Sequence, residues 1–403
     1  MRIVFFDDKL NKNFYPLTLT RSTGDLRVGI LKLRQRLAAF LETEAHDLII
    51  DENLVDLYRE RHPEWKINNI EQIDTIFVNS RLQIDESLAD QILAIAKDEV
   101  LTADNQIIAA RFAPEKIDLN NFWKQMSDCK AKIIEAKFWQ HSWDFIEANA
   151  AYIQKDFEDF FYDKDNFFET EMGVTVLDPY NIWLGAGCSV APGVVIDASG
   201  GPVVLDENVK VMANAVIIGP CYVGKNSRIK VTAKIYEGTS IGATCKIGGE
   251  VEESIILDYS NKQHDGFLGH SYLGEWVNLG ADTNNSDLKN NYGYVKIYDY
   301  AKQEQISSGT QFMGMIVGDH SKTGINSSIN TGSVIGVGCN LFGRTLINKF
   351  VEDFSWGEYG NLTPYNLDKF CDTADLVKKR RDEVLSDCEK ELYKKIFRKE
   401  FTL

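Results

Sequence analysis

Two histidines, His264 and His270, stand six residues apart, with Asn278 downstream and Lys262, Lys289 and Lys296 nearby. An imidazole titrates near neutrality, so a histidine here suits a general base that strips an ammonium and lets the neutral amine attack. Attack of such an amine on a carbonyl creates an oxyanion, which a backbone N–H can stabilise. An anionic group such as a phosphate would need cationic or amide partners, and the three lysines supply the charge. The same residue types allow a metal: His264, His270 and His320 are three imidazoles, a ligand set that zinc accepts.

These side chains need a scaffold, and the surrounding sequence has an unusual period. From about 176 to 350, apolar residues recur every six positions: Leu205, Val211, Ile217, Val223, Ile229, Ile235, Ile241 and Ile247, then Val317, Thr323, Ile329, Ile335 and Leu341. Six is neither a helical period nor the two-residue period of a strand. It fits a parallel β-helix, with one short strand and one turn per repeat and three repeats per coil, each inward residue stacking on its counterpart one coil along. Gly185, Gly224, Gly242, Gly248 and Gly336 follow inward positions and suit tight turns.

The flanks read differently. Residues 1–118 alternate apolar strands (Ile3–Phe6, Thr75–Val78) with an amphipathic helix (Ile30–Leu41), the pattern of an α/β domain with a largely parallel sheet. Residues 119–175, with Trp123, Phe138, Trp139, Trp143, Phe145, Ile146 and Tyr152, read as a helical connector. Residues 176–357 are the β-helix and 358–403 a C-terminal helix, opened by the basic cluster Lys378-Lys379-Arg380-Arg381, which reads as a solvated face or, alternatively, a local site for a partner or an anionic cofactor tail.

The chain has 403 residues, 44% of them hydrophobic, and a net charge of −16. That balance argues against a general nucleic-acid binder, which needs a basic face to displace counterions. No run approaches the roughly 18 apolar residues of a membrane span. The opening apolar run is too short for a signal peptide. Seven cysteines without a CxxC pair suit free thiols, so a cytoplasmic location is expected.

Residues 264–283 carry a recognisable pattern: His264, then Phe267-Leu268-Gly269, Leu273-Gly274 and Asn278-Leu279-Gly280-Ala281. With the hexapeptide repeats, this resembles the left-handed β-helix acyltransferases. The order of α/β domain, linker and β-helix resembles the bifunctional N-acetylglucosamine-1-phosphate uridyltransferase/glucosamine-1-phosphate acetyltransferases, in a Bacteroidetes-type variant, and the archaeal sugar-1-phosphate nucleotidyltransferases. Phe267 stands where that pattern has Tyr, and Asp282 where it has Gly. The resemblance implies His264 as base. It places Asn278 and the Asn284–Lys296 segment, which carries Lys289 and Lys296, at the sugar phosphate or the acyl site, with Lys262 a further candidate by its charge, and acetyl-CoA against the turns Thr323-Gly324 and Gly336-Val337-Gly338. It also implies a homotrimer. The rival zinc reading resembles carbonic anhydrases of this fold, but their close HxxxxH pair is absent.

At the amino terminus, Pro16-Leu17-Thr18-Leu19-Thr20-Arg21 resembles part of the nucleotidyltransferase phosphate loop, and Arg21 and Arg27 are its candidate phosphate contacts. The stretch Asp7–Tyr15 has no glycine, and Asn79-Ser80-Arg81 stands where an acidic Mg²⁺ ligand is expected, leaving Asp104 as a substitute. The expectation is an enzyme that acetylates an amino-sugar 1-phosphate from acetyl-CoA, with a linked Mg²⁺-dependent UTP reaction giving UDP-N-acetylglucosamine. The alternatives are nucleotidyl transfer alone, on a trimerising β-helix, and a non-catalytic subunit that binds sugar nucleotides.

Overall fold

The computed structural model describes residues 2–43, 46–115, 119–164, 166 and 172–401. The expected boundary at residue 118 and the connector stretch 167–171 lie outside the described residues. The amino-terminal part is a seven-stranded sheet in the order Lys66–Ile67, Asp47–Ile49, Arg2–Phe6, Thr75–Asn79, Gln106–Phe112, Glu99–Ala103, Lys130–Ile133. Only Gln106–Phe112 runs against the others, so the sheet is largely parallel. Strand Arg2–Phe6 lies in the middle, which explains its unbroken apolar run: both faces are covered.

The connector is not helical throughout. Leu119–Asp128 is a helix, but Lys130–Ile133 is an edge strand of the same sheet, and its four residues are exposed. An exposed Lys-Ala-Lys-Ile run has no helical stripe to bury, and the lysines protect the open edge. The long helix Ser142–Phe160 then wedges between the two halves of the molecule. Its Asn149 accepts from the Gly29 amide at 2.7 Å and donates to the Gly238 carbonyl at 2.7 Å, while its buried Asp156 pairs with Arg36. Helix, sheet domain and solenoid share one apolar cluster, including Leu17, Val28, Trp143, Phe145, Ile255, Tyr272 and Ile316.

The six-residue repeat folds as a left-handed parallel β-helix with three sheet faces. One runs from Thr175–Leu177 to Phe267–Gly269 in six strands, the second from Ile182–Leu184 to Phe350–Val351 in nine, and the third begins at Ser189–Val190. Rungs stack in register, for example Leu205, Val223 and Ile241, and their side chains form one continuous core with Ile196, Ile217, Ile235 and Leu268. The solenoid is interrupted once, by an excursion over residues 286–314 that carries an antiparallel ribbon, Lys296–Asp299 against Glu304–Ser307. Coiling resumes where Met315–Val317 pairs with Ser333–Ile335 and with Tyr272–Leu273.

The C-terminal region is a hairpin followed by two helices, Leu367–Lys379 and Asp387–Phe397, rather than one helix. The basic cluster closes the first helix instead of opening it, at the end where cations complement the helix dipole. Nor is it only a solvated face: Lys378 is buried against Glu389 at 2.5 Å. Asp382 then takes a left-handed conformation (φ 59°), and Ser386 starts the second helix with a capping box to Glu389. Phe370, Ala374, Leu392, Tyr393 and Ile396 join Phe354 and Val337 of the solenoid in the core of the sheet domain, so these helices pack against both halves.

Candidate active site

The polar residues that converge on the solenoid are Glu252, His270 and Asp287. They fall 18 and 17 residues apart, one coil each, so successive rungs bring them to the same corner. One atom from each lies within 4.8 Å of the others. His270 Nδ1 is 2.8 Å from Asp287 Oδ2, and the ring stacks on Phe312 with centroids 5.0 Å apart. The His270 and Asp287 side chains are 20% and 14% exposed, so the pair is sheltered yet open on one side. Burial and the Asp287 charge push the Glu252 carboxyl up, and His270 opposes that rise.

The backbone holds this corner at both ends of the excursion. The Met313 amide donates to the Asp287 carbonyl and the Gly314 amide to the His270 carbonyl, each at 2.8 Å. Asn285 fixes the strand below, accepting from the Gly269 amide and donating to its carbonyl, both at 3.0 Å. The loop therefore leaves and rejoins the coil directly over the histidine.

The expected residues scatter around this centre. His264 lies at the preceding corner, exposed, and among the described residues its side chain makes no hydrogen bond. His320 is buried between Trp276, Phe370 and Tyr393, so the three histidines do not form the zinc set the sequence allowed. Asn278 is half-buried on the third face, laddered between Asn261 and Lys322. On the excursion Lys289 is half-buried and Lys296 exposed, and Lys289 Nζ donates to the Tyr294 carbonyl at 2.8 Å.

Lys262 is not a surface cation. It occupies an inward position, on the rung after Ile247, and its Nζ donates to the carbonyls of Gly248 and His264, both at 3.0 Å. Burial pushes its pKa down to about 8. The turns expected to contact acetyl-CoA through their amides are also committed. Thr323 N donates to Asn278 O, Gly324 N to Leu341 O, Gly336 N to Val351 O and Gly338 N to Asp319 O, while Val337 N meets Asp353 Oδ1. A Cβ on Gly338 would strike Phe354 and Phe370, so the next coil and the C-terminal helix cover that turn.

The amino-terminal cations are structural as well. Arg21 is buried, with Nη1 3.0 Å and Nη2 2.5 Å from the two carboxylate oxygens of Asp319, and Glu275 at 3.4 Å. Arg27 is buried over the Tyr222 ring, 5.1 Å from its centroid, and donates to the Ile30 carbonyl. Both guanidinium groups are buried at the junction of the two halves. Where an acidic metal ligand was expected, Arg81 is fully buried and forks onto Asp8 at 2.9 and 2.5 Å. Asp7 is buried with its pKa raised to about 7 by desolvation, and Asp104 is exposed at a hairpin tip. A Mg²⁺–triphosphate does not fit this arrangement, because both oxygens of Asp8 are occupied and a buried guanidinium replaces the metal ligand.

Sequence reasoning reached His270 but not its partners. Their signal was the coil length: a carboxylate 17 or 18 residues from a histidine on a three-sided solenoid shares its corner.

Residues 3–164 match the family model described as sugar nucleotidyl transferase. Among curated proteins, the chain is 33% identical over 136 residues to a bifunctional sugar-1-phosphate nucleotidylyltransferase/acetyltransferase of Sulfurisphaera tokodaii, covering 34% of this chain and 32% of that protein. It is 28% identical over 201 residues to the bifunctional protein GlmU of Synechococcus elongatus, covering 45% of this chain and 40% of that protein. The chain thus spans 32% and 40% of the length of these two relatives. Among solved structures, the UDP-N-acetylglucosamine acyltransferase from Campylobacter jejuni aligns with a TM-score of 0.29 and 12% identity, over 56% of this chain and 95% of that one. The chain is therefore similar to bifunctional sugar-1-phosphate nucleotidyl- and acetyltransferases, with a nucleotidyltransferase-like domain docked on a left-handed β-helix.

Proposed function

We propose that this protein transfers an acetyl group from acetyl-CoA to the amine of an amino-sugar 1-phosphate, with glucosamine 1-phosphate as acceptor. The observation that carries the reading is the histidine-bearing segment 264–287, wound on the β-helix so that an imidazole and carboxylates share one corner. The neutral amine attacks the thioester carbonyl and the N–C bond forms. The tetrahedral adduct collapses with cleavage of the C–S bond, the amine proton passes to a base, and the CoA thiol leaves. Lys289 and Lys296, both carried by the excursion that leaves the coil at this corner, are the proposed phosphate partners, with Asn278 on the neighbouring face. The proposed assembly is a homotrimer and the proposed compartment the cytoplasm. Among the described residues no helix is long and apolar enough to cross a membrane.

Incubation with acetyl-CoA and glucosamine 1-phosphate, followed by mass spectrometry of the sugar, tests the reading. An N-acetylated sugar phosphate supports it, and an unmodified sugar under all donor concentrations refutes it. A linked nucleotidyl transfer is the second reading, favoured by the family match over residues 3–164 and opposed by the Arg81–Asp8 pair. Pyrophosphate release from UTP and N-acetylglucosamine 1-phosphate decides it.

A further inference from the structure

We infer that the base of the acyl transfer is His270, oriented by Asp287, and not His264. The inference rests on the acyl-transfer reading and names the group that accepts the proton. A general base needs a fixed tautomer, a fixed ring and a free nitrogen open to substrate. His270 meets all three conditions. Its Nδ1 lies 2.8 Å from Asp287 Oδ2, and a carboxylate can only accept, so the proton sits on Nδ1 and Nε2 keeps its lone pair. Phe312 stacks on the ring at 5.0 Å and 26°, which blocks rotation. Among the described residues Nε2 makes no hydrogen bond, and the side chain stays 20% exposed.

The surroundings suit a group that becomes cationic during turnover. Glu252 and Glu253 act on His270 from the neighbouring rung, Glu237 and Glu250 lie beside them, and Asp287 contacts the ring from the excursion. The charged groups around this imidazole are carboxylates, which also attract an ammonium acceptor. When Nε2 takes the amine proton, the positive charge forms against Asp287 with no reorganisation. The ends of the excursion are tied to this corner by the Met313 and Gly314 amides, which fixes the backbone that carries the pair. His264 has none of this: it is exposed, and among the described residues no side-chain partner sets its tautomer.

The test compares acceptor-dependent thiol release from acetyl-CoA by the full-length wild type, His270→Gln, Asp287→Asn and His264→Gln, each checked for unchanged thermal unfolding. His270→Gln is expected to lose about a hundredfold or more in kcat with KM within about threefold, and Asp287→Asn roughly tenfold or more. The loss in His264→Gln is expected to be smaller than in His270→Gln by at least about tenfold. Imidazole ¹⁵N spectra should show an Nδ1–H tautomer for His270 that disappears in Asp287→Asn, a signature that merely structural damage would not produce. A larger loss in His264→Gln, with His270→Gln active, overturns the assignment while leaving acyl transfer intact. A wild type that is silent with acetyl-CoA overturns the acyl-transfer reading itself, and the base with it. Loss of activity on chelation, restored by zinc, would make Glu252, His270 and Asp287 metal ligands and also overturn the base role.

Discussion

Arg21, in the sheet domain, and Asp319, at a solenoid turn, form a buried bidentate ion pair across 298 residues of sequence. Asp319 is fully used: it also accepts from the Thr20 hydroxyl at 2.8 Å and the Glu275 amide at 2.9 Å. The pair therefore docks the two halves, and removing one partner strands the other charge away from water. Asp319→Ala is expected to cost about 3–5 kcal/mol in urea unfolding, and Arg21→Met combined with Asp319→Leu clearly less than that single change. A single change costing under about 1 kcal/mol would show that the docking does not depend on this pair.

Lys262 gives a pH signature. Its folded pKa of about 8 lies below the unfolded value of 10.5, so between these pH values the unfolded chain binds a proton that the folded one does not. Stability from this group therefore rises as pH climbs from about 8 to 10.5, by up to about 1.4 kcal/mol per pH unit. The stability difference between Lys262→Met and wild type should shift in favour of wild type across that window, measured by urea unfolding at several pH values. A difference that is flat with pH contradicts the buried charge.

Arg81 is fully buried and Asp8 is its only carboxylate among the described residues. Asp8→Ala should destabilise by about 3–5 kcal/mol, and Asp8→Ala with Arg81→Met should recover much of the loss, because a buried apolar side chain carries no desolvation cost. Equal losses in both variants would place the cost in the Trp139 and Gln106 contacts of Arg81 rather than in the ion pair.

The C-terminal helices cover apolar surface of both halves, with Phe370 packing edge-on against Phe354 at 4.9 Å. A chain ending at residue 366 should expose Phe354 and Val337, and aggregate or bind a hydrophobic dye. A soluble, monodisperse truncation with unchanged thermal unfolding would show that the helices are dispensable.

The repeat was legible because a three-sided coil imposes one inward residue per face, and Leu205, Val223 and Ile241 recur at that spacing whatever their neighbours do. The edge strand Lys130–Ile133 was hidden by its shortness and by pairing decided elsewhere in the chain. Arg21, Arg27 and Lys262 show why site residues were harder to read. A cation in a phosphate-binding pattern and a cation buried at a domain junction look alike until the partner is placed, here Asp319, Tyr222 and two carbonyls. Arg81 carried the opposite signal: its charge at an expected acidic position already spoke against a metal, and Asp8 completes the inversion.

Free thiol released from acetyl-CoA, followed with and without glucosamine 1-phosphate, tests the central claim most directly. The account predicts release that requires the acceptor, saturates with it and falls sharply in His270→Gln. Release at the background rate with the acceptor at saturation would contradict it.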